Sequence, residues 1–343
     1  MKIVSHHLHK GRVRRTPWFV SLLLAIFLLP SNQAAATTKR SLCAHPPRTP
    51  FTYHWPVKPF DREHPIRGAF GDPRTVNLEH PFGWTGPLEL GAHSFHNGVD
   101  IVAGPGTPVY PVVSGQVVVA KEDKIVVRTR GNRSFQYYHL LSAVRQGQRV
   151  VVDRTVLGWI QAAYCHVHLA EIDGGRVHNP LDPGHLEPYR DRTTPRATRL
   201  YVDDGPQPFR LQGGWLRPQD QLAVAAGNLP AMALPRPWLG LPQTPALVEW
   251  RLFHDGRHGR WKIAADFRKT EPGRRDFWRV YGPGTYQNFP VFSHHLYRGT
   301  HGLYLFRIGP HPNHLSPGLD QLQVRVAGVC GNHSTTTWPL AVG

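Results

Sequence analysis

The sequence has few cysteines and no long hydrophobic run, and both shortages narrow what the chain can be. Its three cysteines are Cys43, Cys165 and Cys330, so at most one intramolecular disulfide can form and the third thiol is free or pairs between molecules. No C-x-x-C pair occurs, which excludes a zinc knuckle built on cysteines. The apolar run from Trp18 to Leu29 has about 12 residues, whereas a membrane-spanning helix needs roughly 20.

Acidic residues are also scarce: 23 Asp and Glu stand against 40 Lys and Arg, for a net charge of +17. Five of the basic residues and none of the acidic ones fall within residues 1–36, where they precede the apolar run, Pro30 and Ala34-Ala35-Ala36. That order is typical of a cleaved secretory signal peptide. Its removal lowers the net charge from +17 to +12.

A basic, exported chain predicts anionic partners outside the cytoplasm. We therefore expect a periplasmic or extracellular, cell-wall-associated protein that meets peptidoglycan or another anionic cell-wall polymer. No basic and aromatic residues interleave in the way that stacks bases, so nucleic acid is not an expected partner. No stable membrane span is expected after signal cleavage, and the sequence leaves the oligomeric state open.

Glycine and proline are frequent, with 33 of each, which disfavours long helices and predicts an all-β protein. After the signal peptide (1–36) the pattern predicts four segments. Residues 37–61 form an extended lead-in, and 62–185 form a compact domain of about eight short antiparallel strands. Residues 186–246 form a linker that could already carry the first strands of the next unit, and 247–343 form a second β-domain.

Two short motifs in the strand-rich domain bring together metal-binding side chains. His96 and Asp100 lie four residues apart, just before a glycine-proline turn, and His166 and His168 lie two apart on a predicted strand. Residues two apart on a strand share a face, so one histidine can ligate while the other works beside it. Zinc held by His96, Asp100 and His168 would keep an open fourth position, which marks a catalytic site.

The same spacings also occur by chance. A second H-x-x-x-D runs from His178 to Asp182, and a second H-x-H is His7-Leu8-His9 in the signal peptide. Neither lies on a predicted strand. The pairs His294-His295 and His311/His314 have no acidic partner at ligand spacing, and we interpret them as surface residues.

The segment from about Pro65 to Pro183 resembles the lysostaphin/LytM-type zinc metallopeptidases, which cleave peptide bonds in peptidoglycan. The matching pieces, in order, are IRGAFG, HNGVDIVAGPGTPVYPVVSGQVV, YYHLL, GQRVVVDRTVLGWI and CHVHLAEIDGGRVHNPL. The resemblance implies an antiparallel barrel-sandwich with one zinc ion bound by His96, Asp100 and His168. It also implies that His139 and His166 are unligated catalytic histidines.

The implied activity is hydrolysis of stem peptides or cross-bridges through a zinc-activated water. We favour His166 as the general base and His139 as the group that stabilises the oxyanion, although the two roles could be exchanged. No H-E-x-x-H helix supplies a glutamate base, and Glu171 has the wrong strand parity for the cleft. By the same parity argument Cys165 is interpreted as a core or disulfide residue.

Two other functions remain compatible with the sequence. LytM-like domains can be non-catalytic scaffolds that regulate other wall hydrolases, usually with missing ligands, and a zinc peptidase could act on another extracellular protein. A biotinyl or lipoyl carrier module is disfavoured, since Lys121 and Lys124 lack the flanking methionines expected there.

Two stretches outside the ligand motifs bear on the shape of the cleft and on substrate choice. Residues 159–165 (WIQAAYC) replace the small, flexible turn common before H-x-H, which predicts a bulkier cleft wall. The loop between Thr75 and His93 could rim the cleft.

The tail resembles an immunoglobulin-like or fibronectin type III-like β-sandwich, and binding of the cell wall by this domain is a hypothesis.

Overall fold

The strands are short because glycine and proline turns interrupt them frequently. The computed structural model describes residues 42–44, 46, 51–75, 93–202, 209–210, 215–216, 220–235, 238, 240–254, 256–288, 302–309 and 318–342. The predicted signal peptide, nearly all of the proposed rim loop and the two histidine pairs of the tail lie outside these residues. Within them, no helix is both long and apolar enough to cross a bilayer.

The first half of the described chain contains strands β1 to β13. Their bounds are β1 (Ile66–Gly68), β2 (Pro73–Arg74), β3 (Ser94–Phe95), β4 (Val99–Val102), β5 (Pro108–Val109), β6 (Gly115–Lys121), β7 (Lys124–Arg128), β8 (Ser134–Tyr138), β9 (Leu140–Ser142), β10 (Arg149–Val150), β11 (Gly158–Ile160), β12 (His166–Asp173) and β13 (Arg176–His178). Most join one antiparallel sheet in the order β1-β4-β12-β8-β7-β6-β10, with β13 also paired to β12. Two smaller sheets, β5-β11-β9 and β2-β3, pack beside it.

The second half contains strands β14 to β23 and one short helix. Their bounds are β14 (Arg196–Val202), β15 (Phe209–Arg210), β16 (Trp215–Leu216), β17 (Leu222–Gly227), β18 (Leu247–His254), β19 (Arg257–His258), β20 (Lys262–Asp266), α1 (Phe277–Val280), β21 (Leu305–Ile308), β22 (Gly318–Ala327) and β23 (His333–Val342). Short 3-10 turns cover Leu42–Ala44 and Arg274–Asp276. The strands form two sheets, β15-β14-β17-β21 and β16-β23-β22-β18-β19, with β20 added to β18.

The all-β prediction is confirmed, since strands account for nearly all of the described regular structure. The immunoglobulin-like topology of the tail and the domain boundaries stay predictions. Strands β14 to β17 fall inside residues 186–246, the predicted linker that could already carry the first strands of the next unit. The contacts join Ala36–Gly343 into one unit.

The lead-in packs more closely than an extended arm. Tyr53, Trp55 and Val57 are almost fully buried, and the Tyr53 hydroxyl donates a 2.8 Å hydrogen bond to the Glu171 carboxylate on β12. The aromatic and β-branched character of these residues explains this packing, because each removes a large apolar area from water. Tyr53, Trp55 and Val57 are therefore part of the core that supports the main sheet.

The two halves share one hydrophobic core. A single cluster of buried side chains includes Phe95 and Ile101 from the first half together with Phe267 and Tyr281 from the second. The Tyr281 hydroxyl donates to the carbonyl oxygen of Gly71 at 2.7 Å. A disulfide between Cys43 and Cys330 adds a covalent link across 287 positions of sequence. Cys165 is a free, partly exposed thiol, so its interpretation as a disulfide residue is wrong.

Candidate active site

Two of the three predicted ligands lie on one row across the main sheet. Asp100 on β4 is directly opposite His168 on β12, and His168 is directly opposite Tyr138 on β8. Gly68 on β1 completes the row beside Asp100. Directly opposite residues in an antiparallel pair project to the same face, so the register brings Asp100 and His168 together. His96 reaches the same point from the segment before β4.

The three side chains converge on a small triangle of atoms. Nε2 of His96 lies 2.8 Å from Nδ1 of His168 and 3.0 Å from Oδ1 of Asp100, and Nδ1 of His168 lies 3.1 Å from that oxygen. Within the described residues, this is the group of His, Cys, Asp and Glu that could hold a metal ion. Two nitrogens and one carboxylate oxygen are a donor set that suits zinc.

The hydrogen-bonding pattern also fits a cation at this point. Nδ1 of His96 lies 2.8 Å from the carbonyl oxygen of Ala69, so it carries the ring proton and Nε2 has only a lone pair. That lone pair faces the carboxylate oxygen of Asp100, and two acceptors repel at 3.0 Å. A bound metal would turn the repulsion into coordination.

The protonation states suit metal binding. Burial, together with Arg74, lowers the pKa of His96 to about 3, and burial also lowers the pKa of His168. Burial alone would raise the pKa of Asp100, but charged neighbours, among them the Arg67 guanidinium at 3.1 Å, hold it well below its ordinary value. The two imidazoles are therefore neutral and the carboxylate is ionised at neutral pH, which are the forms that ligate.

Two arginines hold the second oxygen of Asp100. Oδ2 lies 3.1 Å from Nη2 of Arg67 and 3.0 Å from Nη2 of Arg74. Arg67 occupies a bulge where the β1–β4 register shifts between Ile66 and Gly68, and bulges often redirect a side chain beside a functional site. Gly68 is required here, because a Cβ on it would lie 2.5 Å from Oδ2 of Asp100. The arginines thus fix the carboxylate so that Oδ1 faces the histidines.

Both unligated histidines lie beside this triangle. His166 shares β12 with His168, and Nε2 of His166 is 3.6 Å from Oδ1 of Asp100. The His139 ring is 4.7 Å from the His166 ring and stacks on Tyr164 at 3.9 Å. Tyr164 belongs to the bulky segment 159–165, so part of the predicted cleft wall contacts a predicted catalytic residue. Burial and Arg67 lower the pKa of His166 well below its ordinary value.

The sequence interpretation missed Arg67, Arg74 and Asp123. Asp123 lies at the tip of the β6–β7 hairpin, and its Oδ1 is 3.1 Å from Nδ1 of His139. Arg67 lies on β1 and Arg74 on β2, and the bulge that directs Arg67 has no sequence signature. Asp123 precedes His139 by 16 positions, and only the pairing of β7 with β8 makes them neighbours.

Comparison with known proteins agrees with this geometry. Residues 94–180 match the model of peptidase family M23, and the segment includes His96, Asp100, His139, His166 and His168. The chain carries a domain of peptidase family M23. No curated protein sequence matches the chain at a significant level.

Three solved structures that are similar to this chain cover between 36% and 41% of it. One is the mutant catalytic domain of the prophage-encoded M23 protein EnpA from Enterococcus faecalis, 22% identical over 38% of this chain and 95% of its own, with a TM-score of 0.26. LytU is 20% identical over 36% and 86%, with a TM-score of 0.26. A chain of the SpoIIQ-SpoIIIAH pore forming complex is 23% identical over 41% and 94%, with a TM-score of 0.31.

Proposed function

We propose that the protein is an exported zinc endopeptidase that hydrolyses peptide bonds of peptidoglycan, in stem peptides or cross-bridges. The observation that supports this most directly is the convergence of His96, Asp100 and His168 within one M23 domain, with two further histidines beside them. The match of residues 94–180 to peptidase family M23 supports peptide bonds as the bonds attacked. The choice of peptidoglycan rests on the sequence resemblance and on the basic charge of the chain.

His96, Asp100 and His168 would hold the metal through Nε2, Oδ1 and Nδ1 respectively. Zinc in such a site supplies Lewis-acid polarisation of the scissile carbonyl and makes a water molecule acidic enough to attack near neutral pH. Arg67 and Arg74 keep the Asp100 carboxylate ionised and oriented. The carbonyl oxygen of Ala69 keeps the proton of His96 on Nδ1, away from the metal.

The two unligated histidines act on the attacking water and on the substrate peptide group. One accepts the proton of the attacking water and passes it to the leaving amine, and the other lies beside the substrate peptide group. His139 and His166 are 4.7 Å apart by ring centroid, so a single peptide group could contact both.

The disulfide supports export. Disulfides persist in oxidising compartments and are rare in the cytosol, and Cys43 lies soon after the predicted signal peptide. The location we propose is therefore the periplasm or the cell wall, with peptidoglycan or another anionic wall polymer as the partner. This agrees with the excess of basic residues in the mature chain.

The decisive experiment is zymography on purified cell walls with the full-length mature protein and His168→Ala. We expect clearing by the wild type and at least a 100-fold loss in the variant, since one of three ligands is removed. Bound zinc is measured in parallel by mass spectrometry and should fall from about one equivalent per chain to a small fraction. His178→Ala is the matched control, because His178 begins the second H-x-x-x-D and has no place in the site.

Three other outcomes would each contradict a different part of the proposed function. Clearing that persists in His168→Ala would contradict the zinc mechanism. Zinc binding by the wild type without clearing would favour a non-catalytic scaffold, the alternative that the sequence left open. Cleavage of extracellular proteins but not of walls would move the substrate away from peptidoglycan.

A further inference from the structure

The two unligated histidines differ in what holds their ring nitrogens. Nδ1 of His166 is 2.7 Å from the carbonyl oxygen of Tyr164 and therefore donates a proton to it. Nε2 of His166 is 3.1 Å from Nη2 of Arg67, and a guanidinium can only donate. Both ring nitrogens of His166 are thus engaged by the protein. His139 has a carboxylate partner instead.

Asp123 holds His139 through two contacts. The main-chain N–H of His139 donates to the carbonyl oxygen of Asp123 at 3.0 Å, and Nδ1 of His139 lies 3.1 Å from Oδ1 of Asp123. The sheet register explains the pairing, because Lys124 on β7 is opposite Tyr138 on β8, so the next residues outward are neighbours. Asp123 has φ 68°, a left-handed conformation that aspartate tolerates at a turn.

The His139 ring is fixed in two further ways. Tyr164 stacks on its face at 3.9 Å with an interplanar angle of 17°. His139 itself has φ 69°, which ends β8 and turns the ring toward His166. A carboxylate on Nδ1 makes that nitrogen the protonated one, so the lone pair of the neutral ring lies on Nε2. The ring is therefore held in both plane and tautomer.

We propose that Asp123 is a positioning residue that holds His139 as the proton-accepting histidine of the peptidase. The inference rests on the proposed function and reverses the assignment favoured from sequence, in which His166 was the base. The attacking water gives one proton to Nε2 of His139 while its oxygen bonds to the carbonyl carbon. The carbon–nitrogen bond then breaks, and the same proton passes to the departing amine.

The kinetic test uses Asp123→Asn and Asp123→Glu in the full-length mature enzyme, with soluble cross-linked muropeptides as substrate. An asparagine keeps the size of the side chain but can present N–H to the imidazole, which favours the wrong tautomer. We expect kcat to fall about 10- to 1000-fold in Asp123→Asn with KM changed less than threefold, a smaller loss than in a fully buried triad because Asp123 is 39% exposed. Asp123→Glu should recover part of the lost kcat.

Glu122→Gln is the matched control, because Glu122 is the other residue of the same turn and is exposed. Its kcat should equal that of the wild type. A kcat in Asp123→Asn within twofold of the wild type, or an effect on KM alone, would overturn the inference.

A second measurement separates this inference from the proposed function. ¹⁵N NMR of histidine-labelled protein, with the signal assigned through His139→Gln, reports which ring nitrogen carries the proton. We expect a protonated Nδ1 in the wild type and a changed tautomer ratio in Asp123→Asn. If the wild type cleaves no muropeptide, the proposed function fails while this measurement still decides the role of Asp123. An identical tautomer in both proteins would refute it.

Discussion

At the scale of single residues, the clearest feature outside the site is the buried carboxylate of Glu171. It accepts hydrogen bonds from Arg133 at 2.6 Å, from the Tyr53 hydroxyl at 2.8 Å and from Nδ1 of His185 at 2.9 Å. Its side chain projects to the face opposite the ligands, as the strand parity predicted. Through these hydrogen bonds the Glu171 carboxylate links the lead-in, the main sheet and the loop after β13.

Glu171→Gln should lower the free energy of unfolding by about 3–5 kcal/mol, because it leaves the Arg133 guanidinium in the core without its ion pair. The variant should also respond differently to acid. Burial alone would raise the pKa of Glu171, but His185 and Arg133 hold it below its ordinary value of 4.5. A carboxylate with a depressed pKa stabilises the fold above its unfolded pKa, and this contribution is lost as pH falls through the folded value.

Urea unfolding between pH 3 and pH 7 measures both effects. The wild type should lose stability more steeply than Glu171→Gln below about pH 4.5. Glu122→Gln, on an exposed turn, should stay within about 0.5 kcal/mol of the wild type at pH 7. Parallel pH curves for the wild type and Glu171→Gln would show that Glu171 is not the group responsible.

The residues of the candidate site were predictable to the extent that spacing along a strand determines which way a side chain points. His166 and His168 share a face because they are two apart, and Asp100 follows His96 at a spacing that can close around an ion. The structure brings these side chains together. Arg67 and Asp123 were not predictable, because one depends on a strand bulge and the other on which hairpin lies beside His139.

At the scale of elements, the most informative difference lies at His139. The apolar and aromatic residues from Ser134 to Leu141 predict one continuous strand, whereas the structure has β8 and β9 with His139 between them. A positive φ at His139 breaks the pleat, and β9 joins a different sheet. Apolar alternation continues through the break, so the pattern could not reveal it. The left-handed backbone conformation of His139 costs some stability, and it places the His139 ring beside His166.

The segment after β20 contributes a second element-level effect, since it supports the loop that carries His96. Phe267 is fully buried and its ring lies 5.5 Å from that of Phe95, the residue before His96. A Cβ on Gly71 would lie 2.5 Å from the Phe267 ring, so the two segments are in close contact.

Phe267→Ala should therefore lower the free energy of unfolding by about 3–5 kcal/mol, as expected for a large cavity in a core. Because the cavity opens beside Phe95, zinc affinity should fall as well, by about 10-fold or more. Denaturant unfolding and a competition assay with a zinc chelator measure the two changes. Ile263→Ala, at a side chain that is 61% exposed, should change neither. Unchanged zinc affinity in a folded Phe267→Ala would disprove the proposed support.

At the scale of the whole molecule, the disulfide joins the lead-in to the turn before β23. Cys43 and Cys330 are 287 positions apart, so their bond restricts the unfolded chain strongly. The Cys43→Ala/Cys330→Ala variant should lose about 2–5 kcal/mol of stability. Thermal unfolding with and without reductant checks this: reductant should lower the Tm of the wild type and leave that of the double variant unchanged. A Tm in the wild type that reductant does not alter would contradict the prediction.

The overall class of the protein could be predicted, but its assembly could not. Glycine, proline and short apolar alternation predicted an all-β chain, which the structure confirms. The strands between Arg196 and Gly227 lie within residues 186–246, where proline, glycine and arginine predict a linker that could carry the first strands of the next unit. One of these strands, β17, pairs with β21, which lies about 80 positions further along the chain. No local sequence signal encodes such a pairing.

The shared core affects how this protein could be altered by recombination. Many modular enzymes exchange a tail by simple fusion, because few contacts cross the junction. Here a fusion that carried residues 94–180 onto a new tail would leave Phe95 and its neighbours facing water. Any successful exchange would have to transfer the aromatic residues around Phe267 together with the segment that carries His96, Asp100 and His168.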